Sequence, residues 1–167
     1  TKKNLDFCFD VLAKEFKGDI TFDIYGTIED KKYWEFCQQK ADKLQKYVHV
    51  KYCGSLHPEQ VIPTMLKYDI FFFPTKGENY GHVIYEALCA GCIPLITDTT
   101  PWEGLDALKA GNVIAYGDIN SFHRKISEYL NMEDHEFKAY KENAISYAEK
   151  KYENTIKQSG YKKVFCE

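Results

Sequence analysis

The sequence predicts an α/β fold built as a doubly wound parallel sheet. Three observations carry this. Helical and strand-like stretches alternate, with successive strands beginning about 20–28 residues apart, the rhythm of βαβ units. The run Ile70-Phe71-Phe72-Phe73 is apolar at every position, as a strand buried on both faces reads. Glycines stop the strands, Gly26 after the first and Gly54 after the second.

The elements follow in order. Leu5, Cys8 or Phe9, Leu12 and Phe16 share one helical face, predicting a helix over about 4–16. Leu5, Phe7, Phe9 and Val11 also alternate, so a strand stays open as the alternative there. Lys17-Gly18-Asp19 breaks the pattern and Ile20–Tyr25 reads as a strand. A helix over about 30–45, a strand over Tyr47–Cys53 and a helix over about 58–67 come next. The apolar strand over 70–73, expected to be the most buried, ends at Pro74. A helix over about 80–92 and a strand over Ile93–Thr97 follow. Gly111 is expected to end a short helix before a strand over Asn112–Tyr116. The rest reads as a helical C-terminal tail, with helices near 119–131, 134–151 and 153–165. No repeat, low-complexity tract or internal linker interrupts residues 1–167, read as one domain. The chain opens almost directly on a helix, so a further strand is expected upstream.

Composition narrows the function classes. The 167 residues are 44% hydrophobic and 16% aromatic, which excludes a disordered tail. No apolar run approaches the roughly 20 residues of a membrane-spanning helix, and no secretory signal opens the chain. A net charge of −3 with both signs interspersed gives no nucleic-acid surface. The first residue is Thr1 rather than Met, as in a processed chain or a piece of a longer one. Six cysteines mostly sit in apolar segments and read as small buried hydrophobes in a reducing cytoplasm. Cys89 and Cys92 form a C-x-x-C, but they close an apolar helix rather than open one, and no second pair stands at zinc spacing.

The chemistry concentrates in Pro74–Glu86, which leaves the carboxyl end of a buried strand and enters a helix, the place where open parallel sheets bind ligands. Asn79, Tyr80 and Gly81 put backbone N–H groups at the helix start, suited to a phosphate, with a plain turn as the alternative. Glu86 lies among Val83, Ile84, Ala87 and Leu88, where a carboxylate needs hydrogen-bond donors such as a ribose diol. The alternative is a side chain turned to the helix edge, meeting a lysine or water. Glu78 stands at the mouth of the site, either stabilising charge or capping the helix. His82, four residues before Glu86, shares its face and either touches a ligand or faces solvent. His49 reads as structural and His57 as a turn residue. Lys150, Lys151, Lys162 and Lys163 read as a solvated helix face, with an anionic membrane surface as the alternative.

The stretch E-N-Y-G-H-V-I-Y-E, its E-x7-E spacing after a strand and proline, and the continuation A-L-C-A-G-C-I-P-L-I-T-D resemble the family 4 retaining glycosyltransferases. Thr100-Pro101-Trp102 looks like the subgroup that builds bacterial surface polysaccharides, with Glu103 where that pattern often has a basic residue. The resemblance covers about residues 3–118 and implies the C-terminal, Rossmann-like half of a two-domain GT-B enzyme. It implies Glu86 on the ribose and Glu78, the catalytic candidate, near the donor sugar. Asn79, Tyr80 and Gly81 would face the phosphates, with His82 beside them. Lys3 would neutralise the diphosphate, or be one more solvated lysine beside Lys2. Tyr52, Cys53 and Gly54 would contact the base.

The implied donor is a UDP- or GDP-sugar. The implied acceptor is a saccharide or a lipid-linked one, bound through an N-terminal domain that would precede Thr1 together with the first strand of this half. No cofactor or metal is expected, in keeping with the lack of a D-x-D, and a cytoplasmic enzyme is expected, with a peripheral position at the inner face of the membrane as a further option for the whole enzyme. This half alone would bind donor weakly and transfer nothing at a useful rate. A non-catalytic nucleotide-sugar binding module is the second reading, and an epimerase or phosphorylase of the same architecture the third.

Overall fold

Residues 2–159 are described by a computed structural model, with side chains described to residue 154. In order, α1 is Leu5–Leu12, β1 Ile20–Tyr25, α2 Lys31–Ala41, β2 Val48–Gly54 and α3 Pro58–Met65. Then come β3 Ile70–Phe73, α4 His82–Cys89, β4 Ile93–Thr97, β5 Asn112–Ile114, α5 Ile119–Leu130 and α6 Asp134–Ser159.

All strand pairs are parallel, as the alternation requires, but they form two ladders rather than one five-stranded sheet. β1 pairs with β2, Ile20 opposite Val48, with an irregularity at Ile24/Tyr25. β3 pairs with β4, Ile70 opposite Ile93, and β4 with β5, Leu95 opposite Asn112. Between β1 and β3 lies a channel of about 520 Å³, lined by Ile20, Thr21 and Phe22 on one side and Tyr68, Ile70 and Phe72 on the other. The rings of Phe22 and Phe72 meet across it at 6.2 Å. This corrects the expected burial. β3 is only half-buried because one edge faces the channel, whereas all five residues of β4 are buried between two neighbours.

Helices cover both faces. On one, Phe7, Val11 and Leu12 of α1 pack with Phe122 and Ile126 of α5 over Leu95 and Ile114. On the other, Ile84 and Leu88 of α4 pack with Ala144 and Ala148 of α6 around Trp102 and Leu105. Two small alanines let α6 approach closely. Asp30 and Asp118 cap α2 and α5, accepting from the N–H groups of Tyr33 and Ser121 at 3.0 Å each.

Three further expectations are corrected. No helix precedes Gly111; turns fill that stretch, and the reason for the glycine is contact, since a Cβ there would lie 2.7 Å from the Pro94 carbonyl oxygen. The tail is α5 followed by one continuous α6, because no glycine or proline interrupts residues 134–159; the remainder of the third predicted helix, with Lys162 and Lys163, and Cys166 after it lie outside the described residues. His49 is exposed rather than structural, since it alternates out of the core between Val48 and Val50. His57 does turn the chain, at the start of α3, where its N–H donates to the Gln60 side chain at 3.0 Å. Among the described residues no helix is long and apolar enough to cross a membrane.

Candidate functional site

Parallel β3 and β4 deliver their following loops to one end of the ladder, and those loops interlock there. Thr97 and Thr99 hydroxyls both donate to the Thr75 carbonyl, at 2.7 and 2.8 Å. The Glu78 N–H donates to the Thr99 carbonyl at 3.4 Å. The start of the chain joins the same end. The Lys76 N–H donates to the Lys2 carbonyl at 2.9 Å, and the buried Asn4 side chain donates to the Pro74 carbonyl at 3.0 Å. Asn4, at φ 62°, turns the chain into α1 and leaves Lys3 over the end of β3.

Lys3 and Glu78 are thereby brought together. Lys3 Nζ lies 2.6 Å from Glu78 Oε1 and 4.9 Å from the centroid of Phe73. The Thr75 hydroxyl donates to the same carboxylate oxygen at 3.1 Å. The side chain of Glu78 is 12% exposed and that of Lys3 57%. Burial pushes the Glu78 carboxyl up, but the Lys3 ammonium and the Thr75 hydroxyl outweigh it and hold the group below the usual carboxylate range. Glu78 does not cap α4, and Lys3 is not merely one more solvated lysine.

The entry to α4 is bare. Its N-cap is Gly81, at φ 79° and without a side-chain cap. That left-handed backbone favours glycine, and a Cβ there would also press on the end of the Ile84 side chain, 2.9 Å from its Cδ1. Among the described residues the N–H groups of Gly81, His82 and Val83 find no acceptor. Asn79 and Tyr80 are exposed, and the Tyr80 ring meets that of exposed His82 at 4.8 Å. Glu86, expected deep among apolar neighbours, is half-buried instead, because its position on α4 falls between the Ile84–Leu88 stripe and solvent. No hydrogen bond or ion pair with another described residue engages its carboxylate.

Tyr52, Cys53 and Gly54 end the other ladder and are not joined to the Lys3–Glu78 pair. The Tyr52 hydroxyl donates to the Gly26 carbonyl at 2.8 Å, its ring meets Trp34 at 4.9 Å, and Gly54 turns at φ 77°. A groove of about 550 Å³ between α2 and β2 includes Trp34 and Tyr52 but neither Glu78 nor Glu86. Among the described residues no cluster of His, Cys, Asp and Glu could hold a metal. Cys8, Cys37, Cys53, Cys89 and Cys92 are free thiols. Burial pushes the Cys92 thiol up to about 12, the reverse of what a redox-active pair needs.

The sequence reading passed over Thr75 and Asn4, which position Glu78 and Lys3. A threonine directly after the proline that ends a strand was the available sign for Thr75.

The family model of the glycosyl transferases group 1 matches residues 1–151 of the chain. The chain belongs to that family. No curated protein sequence matches it. Among solved structures, this glycosyl transferase chain resembles HepE of Anabaena in complex with UDP and glucose, with a TM-score of 0.78 and 18% identity over 98% of this chain and 45% of that one. WaaG, a glycosyltransferase involved in lipopolysaccharide biosynthesis, gives a TM-score of 0.68 and 20% identity over 89% of this chain and 40% of that one. Sucrose-phosphate synthase from Thermosynechococcus elongatus gives 0.72 and 16% over 98% and 43%. At these identities the likeness establishes the fold, that of GT-B glycosyltransferases, and this chain spans less than half the length of each.

Proposed function

We propose that this chain is the donor-binding half of a retaining glycosyltransferase that moves a sugar from a nucleoside diphosphate to an acceptor hydroxyl in polysaccharide or glycolipid synthesis. One observation carries the reading: an ion-paired Lys3 and Glu78 sit at the strand ends beside a glycine-capped, unsatisfied helix start, and that helix offers an unpartnered carboxylate, Glu86. HepE has been solved with UDP and glucose, which supports a uridine nucleotide as the first donor to test.

The roles follow from charge. As the bond from sugar to phosphate breaks, negative charge gathers on the leaving diphosphate and positive charge on the anomeric carbon. The N–H groups opening α4 and the Lys3 ammonium suit the diphosphate. Lys3 Nζ carries three protons, so it can keep Glu78 while taking a phosphate oxygen. Glu78, held ionised by Lys3 and Thr75, is placed to steady the sugar's developing positive charge. Glu86 would accept from the two ribose hydroxyls, and His82 lies beside the phosphate turn. Tyr52, Cys53 and Gly54 would border the base. Positive charge from Lys3 and the helix makes a metal unnecessary in this scheme, and the acceptor falls to the part of the enzyme beyond this chain. Buried free thiols at Cys8, Cys37 and Cys92 suit a cytoplasmic setting.

Calorimetric titration of the whole enzyme that carries this half with UDP and GDP tests the reading. The expected result is binding to one of them, weakened about tenfold by Glu86→Ala through the lost ribose hydrogen bonds. A folded protein that binds neither nucleotide overturns the donor site, and an unchanged affinity in Glu86→Ala removes the ribose role.

A further inference from the structure

Trp102 lies in the loop after β4 with only 1% of its surface exposed. Its indole Nε1–H donates to the Tyr80 carbonyl oxygen at 2.6 Å. An indole nitrogen can only donate, so this bond has one possible sense. The Tyr80 carbonyl and the Gly81 N–H are opposite ends of one planar trans peptide and point in opposite directions. Drawing the carbonyl toward the buried indole therefore turns the Gly81 N–H away from it, and that N–H finds no acceptor among the described residues.

The indole is itself held on several sides. Tyr80, Tyr85 and Tyr147 rings stand 5.5, 6.4 and 6.1 Å from it, and Lys151 Nζ lies 5.1 Å from its centroid. Tyr147 and Lys151 belong to α6, and the Tyr147 hydroxyl donates to the carbonyl of Glu103, the next residue, at 2.6 Å. α6 thus braces a loop that in turn braces the start of α4.

We infer that Trp102 is a positioning residue: its indole N–H fixes the Tyr80–Gly81 peptide so that the Gly81 amide is presented to the diphosphate, with α6 holding the indole in place. The inference rests on the donor-site reading above and extends it to a residue that touches no part of the donor.

The two are separated by titrating UDP and uridine into wild type, Trp102→Phe and Glu86→Ala. Phenylalanine keeps a ring under α6 but has no N–H to give. Trp102→Phe is expected to lose about tenfold in affinity for UDP, the scale of a charge-assisted hydrogen bond, and to bind uridine as wild type does. Glu86→Ala should weaken UDP and uridine alike, since both carry the ribose. Equal losses for both ligands in Trp102→Phe, or no loss for either, overturn the positioning role while leaving the donor site standing. A wild-type protein that binds UDP no better than uridine overturns the diphosphate site and this inference with it. If Trp102→Phe does not fold, benzothienylalanine at position 102, which keeps the shape of tryptophan with sulfur in place of N–H, is read by the same criteria.

Discussion

Glu78 shows how a residue's role comes from its neighbours. A lone glutamate between a glycine and an asparagine carries no instruction, but the Thr75 hydroxyl and the Lys3 ammonium converge on one of its oxygens. Because its folded-state pKa lies below the usual value near 4.5, the ionised group stabilises the fold above that pH. That contribution is lost as pH falls through the folded-state value. Replacing it by Glu78→Gln should therefore flatten the acid limb of the melting temperature below about pH 5, by no more than about 1 kcal/mol because the Lys3 head is largely in water. Thermal melts of both proteins across pH 3–7 check this, and superimposable curves would show that the pair contributes nothing to stability.

At the scale of elements, the approach of β5 to β4 depends on one missing side chain. Gly111 sits where a Cβ would be 2.7 Å from the Pro94 carbonyl oxygen, a backbone atom that cannot swing aside. Gly111→Ala should cost about 1–3 kcal/mol through forced separation of the strands, read as a lower denaturation midpoint with an unchanged slope. An unaltered midpoint would mean the loop before β5 shifts freely. This glycine also shows why local pattern misleads. Leu105, Leu108 and Ala110 before it mimic a helical stripe, yet turns form because Leu105 and Ala110 are drawn separately into the core around Trp102. The tail departs in the opposite sense: separate helices are expected over 134–151 and 153–165, but α6 runs unbroken from Asp134 to Ser159, with no glycine or proline to stop it.

Over the whole molecule, the two ladders divide the stability. β4 is paired on both edges and wholly buried, while β1 has a partner on one edge only and a channel on the other. Amide exchange should accordingly be slowest in Ile93–Thr97 and clearly faster in Ile20–Tyr25. Equal protection in both ladders would show that they open as one unit despite the channel. The division matters for function because Tyr52, Cys53 and Gly54 belong to the first ladder, and Lys3, Glu78 and Glu86 attach to the second. A ligand spanning both would couple them.

The sequence by itself determined the order of the five strands, the helices between the first four of them, the parallel sense of the strands, and the stretch that carries the candidate site. Those depend on chain-local quantities: apolar periodicity, glycine and proline stops, and an acid-rich motif at a strand-to-helix junction. Tertiary structure decided which strand is most buried, that Glu86 is only half-covered, that Lys3 reaches Glu78, and that Trp102 holds the Tyr80–Gly81 peptide. The last two join residues far apart in the chain, 75 positions for Lys3 and Glu78 and 22 for Trp102 and Tyr80, and the burial of β4 and Glu86 likewise depends on what packs over them. No local pattern encodes such distances, because they are fixed only when helices on both faces press the strand ends together.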